Sequence, residues 1–256
     1  MIFHTIWHFW RHFYLFKFSP EKATSGSLMG ILGSRENHSG VALGDLQCSV
    51  RSTLIDQDKD AVLNVSTSAQ MAFIAELPQK IELTTFEYFP YFGDTYVAVA
   101  ASLNGGNCLA AFVKMIQNWA VDLGLSINRE KIWEKTIALG QNVDSENLMV
   151  ISPVLFGERH DPDLQGAISK IGPDTCSLGQ VTKAMCRGIA ENLAKMMSPE
   201  LLQKAGIQRI VGSGACLTRN PVLKTEFQER YQMPVEFIDE GSACIGAALA
   251  SLDTPF

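Results

Sequence analysis

From residue 40 onward, apolar residues follow two rhythms in turn. AVLNVST (61–67) and TYVAVAASL (95–103) are β-branched runs that end in small polar residues, the signature of strands closing in turns. CLAAFVKMIQNWAVDLG (108–124) places apolar residues at helical spacing and stops at Gly124. LMVISPVL (148–155) predicts a short strand, and residues 178–197 predict a long helix closed by Ser198-Pro199. A short helix over 199–204 follows, then a strand and turn in QRIVGSG and a helix over 220–231. MPVEFID predicts a strand, and residues 241–252 predict a helix of small residues that can approach its neighbours closely. Such alternation means α/β, with helices packed on a mostly parallel sheet. No repeat of solenoid period is visible.

Three turns after these strands are rich in small polar residues: Ser66-Thr67-Ser68, Asn104-Gly105-Gly106-Asn107 and Gly212-Ser213-Gly214-Ala215. Ligands of α/β sheets bind beyond the carboxyl ends of strands. Glycines there let backbone N–H groups approach phosphates, helped by a helix N-terminus. Any one such turn is as readily just a tight turn, but three in one chain favour a nucleotide site. The P-loop pattern G-x-x-x-x-G-K-[ST] is absent. The dinucleotide pattern fails because Leu217 stands where a third glycine or alanine belongs, which disfavours a Rossmann-type oxidoreductase.

Two further segments carry chemistry. Asp45 precedes LQCSVRSTL, which can form a helix. An Asp in that place commonly caps the helix; its other use is as a carboxylate in a cleft that takes a hydroxyl proton. Gly157-Glu158-Arg159-His160-Asp161-Pro162-Asp163 reads either as an exposed loop with an internal Glu–Arg pair or as a structural clamp, and the clamp is favoured. His160 has no Ser or Cys at a recognisable elbow, so a hydrolase triad is not expected.

The first eighteen residues break the pattern. MIFHTIWHFWRHFYLFKF holds eight aromatics and no acid, and is neither a signal peptide nor a transmembrane run. His4, His8 and His12 share one helical face and can hold a metal; the plainer reading is a surface or membrane-interface segment. Residues 19–40, rich in Ser and Gly, read as a linker. The expected division is therefore an atypical segment over 1–39 and a domain over 40–256.

The chain has 256 residues, 46% hydrophobic and 19% charged, a globular composition. Its formal charge is 21 − 27 = −6 and no Lys/Arg cluster stands out, so nucleic acid is not an expected partner. Six cysteines lack any Cys-x-x-Cys pair, which argues against zinc and for reduced, mostly buried thiols of a cytoplasmic protein.

Taken in order, GVALGDLQCSV, DAVLNVSTSAQ, FPYF, SLNGGN, PVLFGERHDPD, MCRGIAENL and IVGSGACLTRNPVLK resemble the C-terminal half of the FGGY carbohydrate kinases, over about residues 40 to 252. The resemblance implies an actin-like ATPase (ribonuclease H-like) fold, here a single C-terminal lobe of a normally two-lobed sugar kinase. It implies transfer of the γ-phosphate of ATP, with Mg²⁺, to a sugar hydroxyl. By that resemblance Asp45 is the general base. Ser66, Thr67 and Ser68 form a phosphate-binding turn. Gly105, Gly106 and Asn107 lie on the adenosine side. Gly212 and Gly214 lie against adenine and ribose, with Asn220 nearby. No protein metal ligand is implied. The family's first domain, which makes most of the sugar contacts, has no counterpart here. The chain is therefore expected to be inactive alone, or to be a non-catalytic form that binds nucleotide or a partner protein.

Overall fold

The computed structural model describes residues 28–32, 37–40, 43–76, 85–93, 95–144, 146, 148–239 and 242–252. The His4, His8 and His12 face lies outside them. The chain divides into two compact units, Met1–Leu43 with Ser251–Phe256, and Gly44–Ala250. The described part of the first includes an antiparallel hairpin of β1 (Leu28–Leu32) and β2 (Asn37–Gly40). The stretch expected to be a linker is thus partly paired.

The second unit begins with helix α1 (Asp45–Thr53). Strands β3 (Asp60–Val65), β4 (Ala69–Ala75), β5 (Glu87–Pro90) and β6 (Tyr96–Ser102) follow. Helices α2 (Gly106–Asp122) and α3 (Arg129–Gln141) come next. A small antiparallel pair, β7 (Val150–Ser152) and β8 (Ala167–Ser169), precedes α4 (Leu178–Met196) and α5 (Pro199–Lys204). The unit continues with β9 (Arg209–Ser213), α6 (Ala215–Arg219), α7 (Pro221–Tyr231) and β10 (Val235–Phe237). Helix α8 (Ala243–Leu252) is the last described element.

The main sheet has the order β10-β9-β3-β4-β6-β5. Only β10–β9 and β9–β3 are parallel; β3–β4, β4–β6 and β6–β5 are antiparallel. The expected mostly parallel sheet is therefore a mixed one. The cause is local: Ser66-Thr67-Ser68 does not lead into a helix but turns the chain straight back, pairing Val65 with Ala69. A three-residue connection can only make a hairpin, whereas parallel neighbours need a long crossover. The strand expected over 148–155 is likewise only three residues of a separate pair.

Both faces of the sheet are covered, and the period of two separates them. Leu63, Met71, Ala98 and Ala100 face the larger core with Ile189, Leu193 and Phe227. Val62, Ala72, Val97 and Val99 face the smaller one with Val50 of α1 and Tyr91. Asp60 and Arg209 pin the start of the β3–β9 pair. Arg209 donates through Nε to Oδ1 at 2.9 Å and through a terminal nitrogen to Oδ2 at 2.7 Å. Burial pushes the Asp60 carboxyl up, but the Arg209 bonds, the N–H groups of Asp56 and Ile55 and the Arg209 charge outweigh it. Its pKa ends below the ordinary value.

Candidate functional site

Two clefts in the second unit hold expected site residues. The first, of about 710 Å³, is walled by Ser66 and Thr67 of the β3–β4 turn and by Gly106, Asn107 and Ala110 at the start of α2. Trp133 and Ile137 of α3 form a second wall, and Ala215, Cys216, Arg219 and Asn220 a third. Five of the expected binding residues, Ser66, Thr67, Gly106, Asn107 and Asn220, are thus brought together. Ser68, Gly105, Gly212 and Gly214 shape the turns behind this wall. The Ser68 carbonyl accepts from the Ser66 N–H at 3.0 Å, and the Gly212 carbonyl accepts from the Ile238 N–H at 2.9 Å. Gly214 stands at the cap of α6 with φ 99°, and a Cβ there would lie 2.5 Å from the Val65 carbonyl oxygen.

The glycine turn before α2 works differently from the expected phosphate cradle. The Gly106 N–H donates to the Ser66 carbonyl at 2.9 Å, and the Asn107 N–H donates to the Thr67 carbonyl at 3.0 Å. The Gly105 N–H is taken by the Asn107 side-chain oxygen at 2.9 Å. The first N–H groups of α2, which no helix can satisfy internally, are spent holding the hairpin turn. Glycine is required for that contact: a Cβ on Gly106 would lie 2.2 Å from the Ser66 carbonyl oxygen. Asn220 is similarly occupied. Its side-chain oxygen accepts from the N–H groups of Val222 at 3.1 Å and Leu223 at 3.2 Å, capping α7.

What the first cleft presents is a polar lip of exposed Ser66 and Thr67, one exposed cation at Arg219, and the apolar surfaces of Trp133 and Ile137. That is one anion-attracting end and one flat apolar end. Trp133, Ile137 and Arg219 were not singled out from the sequence. Trp133 sits on a helix whose pattern was too polar to stand out, and Arg219 carries no motif. Burial pushes the Cys216 thiol up to about 11, so at neutral pH it is a protonated wall rather than a nucleophile.

The second cleft, of about 470 Å³, lies on the smaller-core face of the sheet. Asp45, Leu46 and Ser49 of α1 form one side, with Asn64, Gln70 and Ala101 on the floor. Glu87, Phe89, Arg159, His160 and Ser213 complete it. Asp45 is the first residue of α1 and Gly44 the cap, so Asp45 is not the cap that its position suggested. Its side chain is exposed, with its charge at the helix end where negative charge is favoured.

Side chains of the two clefts are linked by hydrogen bonds where β3 and β9 end. The Ser66 hydroxyl, in the first, donates to Asn64 Oδ1 at 3.4 Å. Asn64 Nδ2 donates to the Ser213 hydroxyl at 3.2 Å, and both of these residues line the second.

No family model matches the chain. Human sedoheptulokinase is 45% identical over 221 residues, which cover 83% of this chain and 45% of that protein. The mouse sedoheptulokinase is 42% identical over 251 residues, 91% of this chain and 51% of that one. The chain is a homologue of the sedoheptulokinases. It spans about half the length of these sedoheptulokinase relatives. Among solved structures, a xylulose kinase from Rhodospirillum rubrum superposes with a TM-score of 0.75 at 16% identity, over 89% of this chain and 46% of that one. A Plasmodium falciparum glycerol kinase with ADP superposes with a TM-score of 0.64 at 15% identity, over 89% and 46%. The fold is that of the C-terminal lobe of actin-like sugar kinases.

Proposed function

We propose that this chain carries the nucleotide-binding half of an ATP-dependent carbohydrate kinase that converts sedoheptulose to sedoheptulose 7-phosphate in the cytoplasm. The sugar is carried over from the named relatives. The observation that carries the reading is the hydrogen-bonded link between the two clefts through Ser66, Asn64 and Ser213. A nucleotide in one cleft would present its terminal phosphate towards the other, which holds Asp45.

The residues fit ATP. Trp133 and Ile137 offer a flat apolar surface for a purine, and Ser66, Thr67 and Arg219 offer donors for phosphates. The solved glycerol kinase of the same fold contains ADP. Among the described residues no group of three or more His, Cys, Asp or Glu can hold a metal. Mg²⁺ would come with the nucleotide's own phosphates, as it commonly does. When bound, ATP supplies the phosphoryl group. Asp45 then accepts the proton of the attacking sugar hydroxyl, and the walls hold donor and acceptor in line.

On this reading the lobe alone binds MgATP and turns over sugar negligibly. Asp45, Glu87, Arg159 and His160 are all exposed on it, so water is not excluded from the Asp45 cleft. Calorimetry with MgATP and a coupled ADP assay with sedoheptulose test both parts. Saturable MgATP binding without sugar-dependent ADP is expected. A sugar-dependent signal lost in Asp45→Asn would refute the negligible turnover while supporting the kinase chemistry. Absence of nucleotide binding would overturn the whole reading.

A further inference from the structure

The turn holding Arg159 and His160 is fixed by a buried carboxylate. Glu158 is 1% exposed. It accepts from the Ser102 hydroxyl at 2.6 Å, the Asn192 amide at 2.6 Å, the Asn104 amide at 2.9 Å and the Leu103 N–H at 3.0 Å. Asn104 grips the loop from the other side, donating to the Gly157 carbonyl at 2.7 Å and accepting from the Leu155 N–H at 2.9 Å. Reciprocal backbone bonds between Glu158 and Asp161, at 2.9 and 3.2 Å, close the turn. Its two tip residues, Arg159 and His160, are both exposed and both line the Asp45 cleft. So large a set of buried bonds is far more than an idle surface loop needs.

The charges in that cleft pose a problem for a sugar kinase. Asp45 and Glu87 are carboxylates, and the product of the proposed reaction is a phosphate dianion. A neutral sugar tolerates two carboxylates; its phosphate ester does not, unless a cation faces it. Arg159 is that cation, and its guanidinium fork matches a phosphate's oxygens.

We propose that Arg159, with His160 beside it, forms the binding site for the phosphate of the phosphorylated sugar. The inference rests on the kinase reading and adds to it a residue that tells product from substrate. The held turn fixes the backbone that carries Arg159 at the cleft.

The test uses the full 256-residue chain and calorimetric titration with sedoheptulose 7-phosphate, sedoheptulose and, separately, MgATP. The phosphate ester should bind at least tenfold more tightly than the sugar. Arg159→Ala should weaken it by roughly 10- to 100-fold, the worth of one or two charged hydrogen bonds. MgATP binding should not change, and sugar binding should weaken much less than ester binding. Arg159→Lys should recover part of the loss, since it keeps the charge and loses the fork. Because Arg159 is exposed, unchanged melting temperatures should accompany these effects. Equal binding of ester and sugar, or wild-type affinity in Arg159→Ala, with MgATP binding intact, would overturn the inference and leave the kinase reading standing. Loss of MgATP binding as well would remove both.

Discussion

Asn192 Nδ2 donates to Glu158 Oε1 at 2.6 Å, so the C-terminal part of α4 and the loop after β7 share one buried carboxylate. Removing the carboxylate takes an acceptor from four donors, leaving the Leu103 N–H without its partner and the Ser102, Asn104 and Asn192 side chains with only their other bonds. Glu158→Ala should cost about 3 kcal/mol or more, read as a lower urea midpoint with an unchanged slope. Glu158→Gln should cost less, because it keeps the shape and one acceptor. Equal midpoints for wild type and Glu158→Ala would mean that the loop detaches freely from the fold.

Gly106→Ala should damage both folding and ligand binding. The added carbon's tightest clash is with backbone, the Ser66 carbonyl oxygen at 2.2 Å, which cannot swing away as a side chain can. The hairpin turn must then lift off α2. A melting temperature lower by roughly 5 °C and MgATP affinity reduced about tenfold or more are expected. Normal MgATP binding in a folded variant would show that the turn is not part of the nucleotide wall.

Trp133→Ala separates the two properties. Trp133 is half-buried and lines the first cleft. Loss of its ring should weaken MgATP by roughly tenfold, the usual worth of an aromatic face against a base. Inorganic triphosphate, which has no base, should bind wild type and variant alike. A loss shared by both ligands would place the purine elsewhere.

The Asp60–Arg209 pair predicts an acid limb of stability. The folded-state pKa of Asp60 lies below its ordinary value, near 4 in unfolded chains. Its contribution is therefore fully present above that range and is lost as pH falls through the folded value. Melting temperature should drop between about pH 4 and pH 3 more steeply in wild type than in Asp60→Asn, which should already be less stable at pH 7. Parallel curves would show that Arg209 is not what holds that carboxyl down.

Much of the architecture was written in local signals. Gly124, Ser198-Pro199 and Asn220-Pro221 punctuate helices because stop and cap chemistry is local, and the strands over 60–65 and 96–102 follow from β-branched runs. Sheet direction was not legible, since Ser66-Thr67-Ser68 can precede a helix or turn back on itself. AQMAFIA (69–75) and EYFP (87–90) were missed: the first is apolar on both faces and lacks a period, the second is four residues long. Of the six thiols expected to be mostly buried, Cys48, Cys108 and Cys186 are buried and Cys176 and Cys244 exposed. Residues of the small polar turns share one cleft, but their spacing does not say how each turn is held there. Sequence shows that Gly106 lacks a side chain; only the fold shows that the space it leaves is filled by the Ser66 carbonyl. Trp133 and Arg219 reach the cleft through helix packing, which no spacing encodes.

The central strand pair joins residues made far apart in time. Asp60 and Arg209 are 149 positions apart, yet β3 and β9 lie side by side. At roughly 5–20 residues per second on the ribosome, one edge of β3 waits on the order of ten seconds for its partner. Until then a β3–β4–β6 meander can form, with β3 still uncovered by α6 and a strand edge open to other chains. Cellular yield is therefore expected to depend on chaperone supply more than on final stability, and changes that speed β9 docking should raise soluble protein even where the melting temperature does not move.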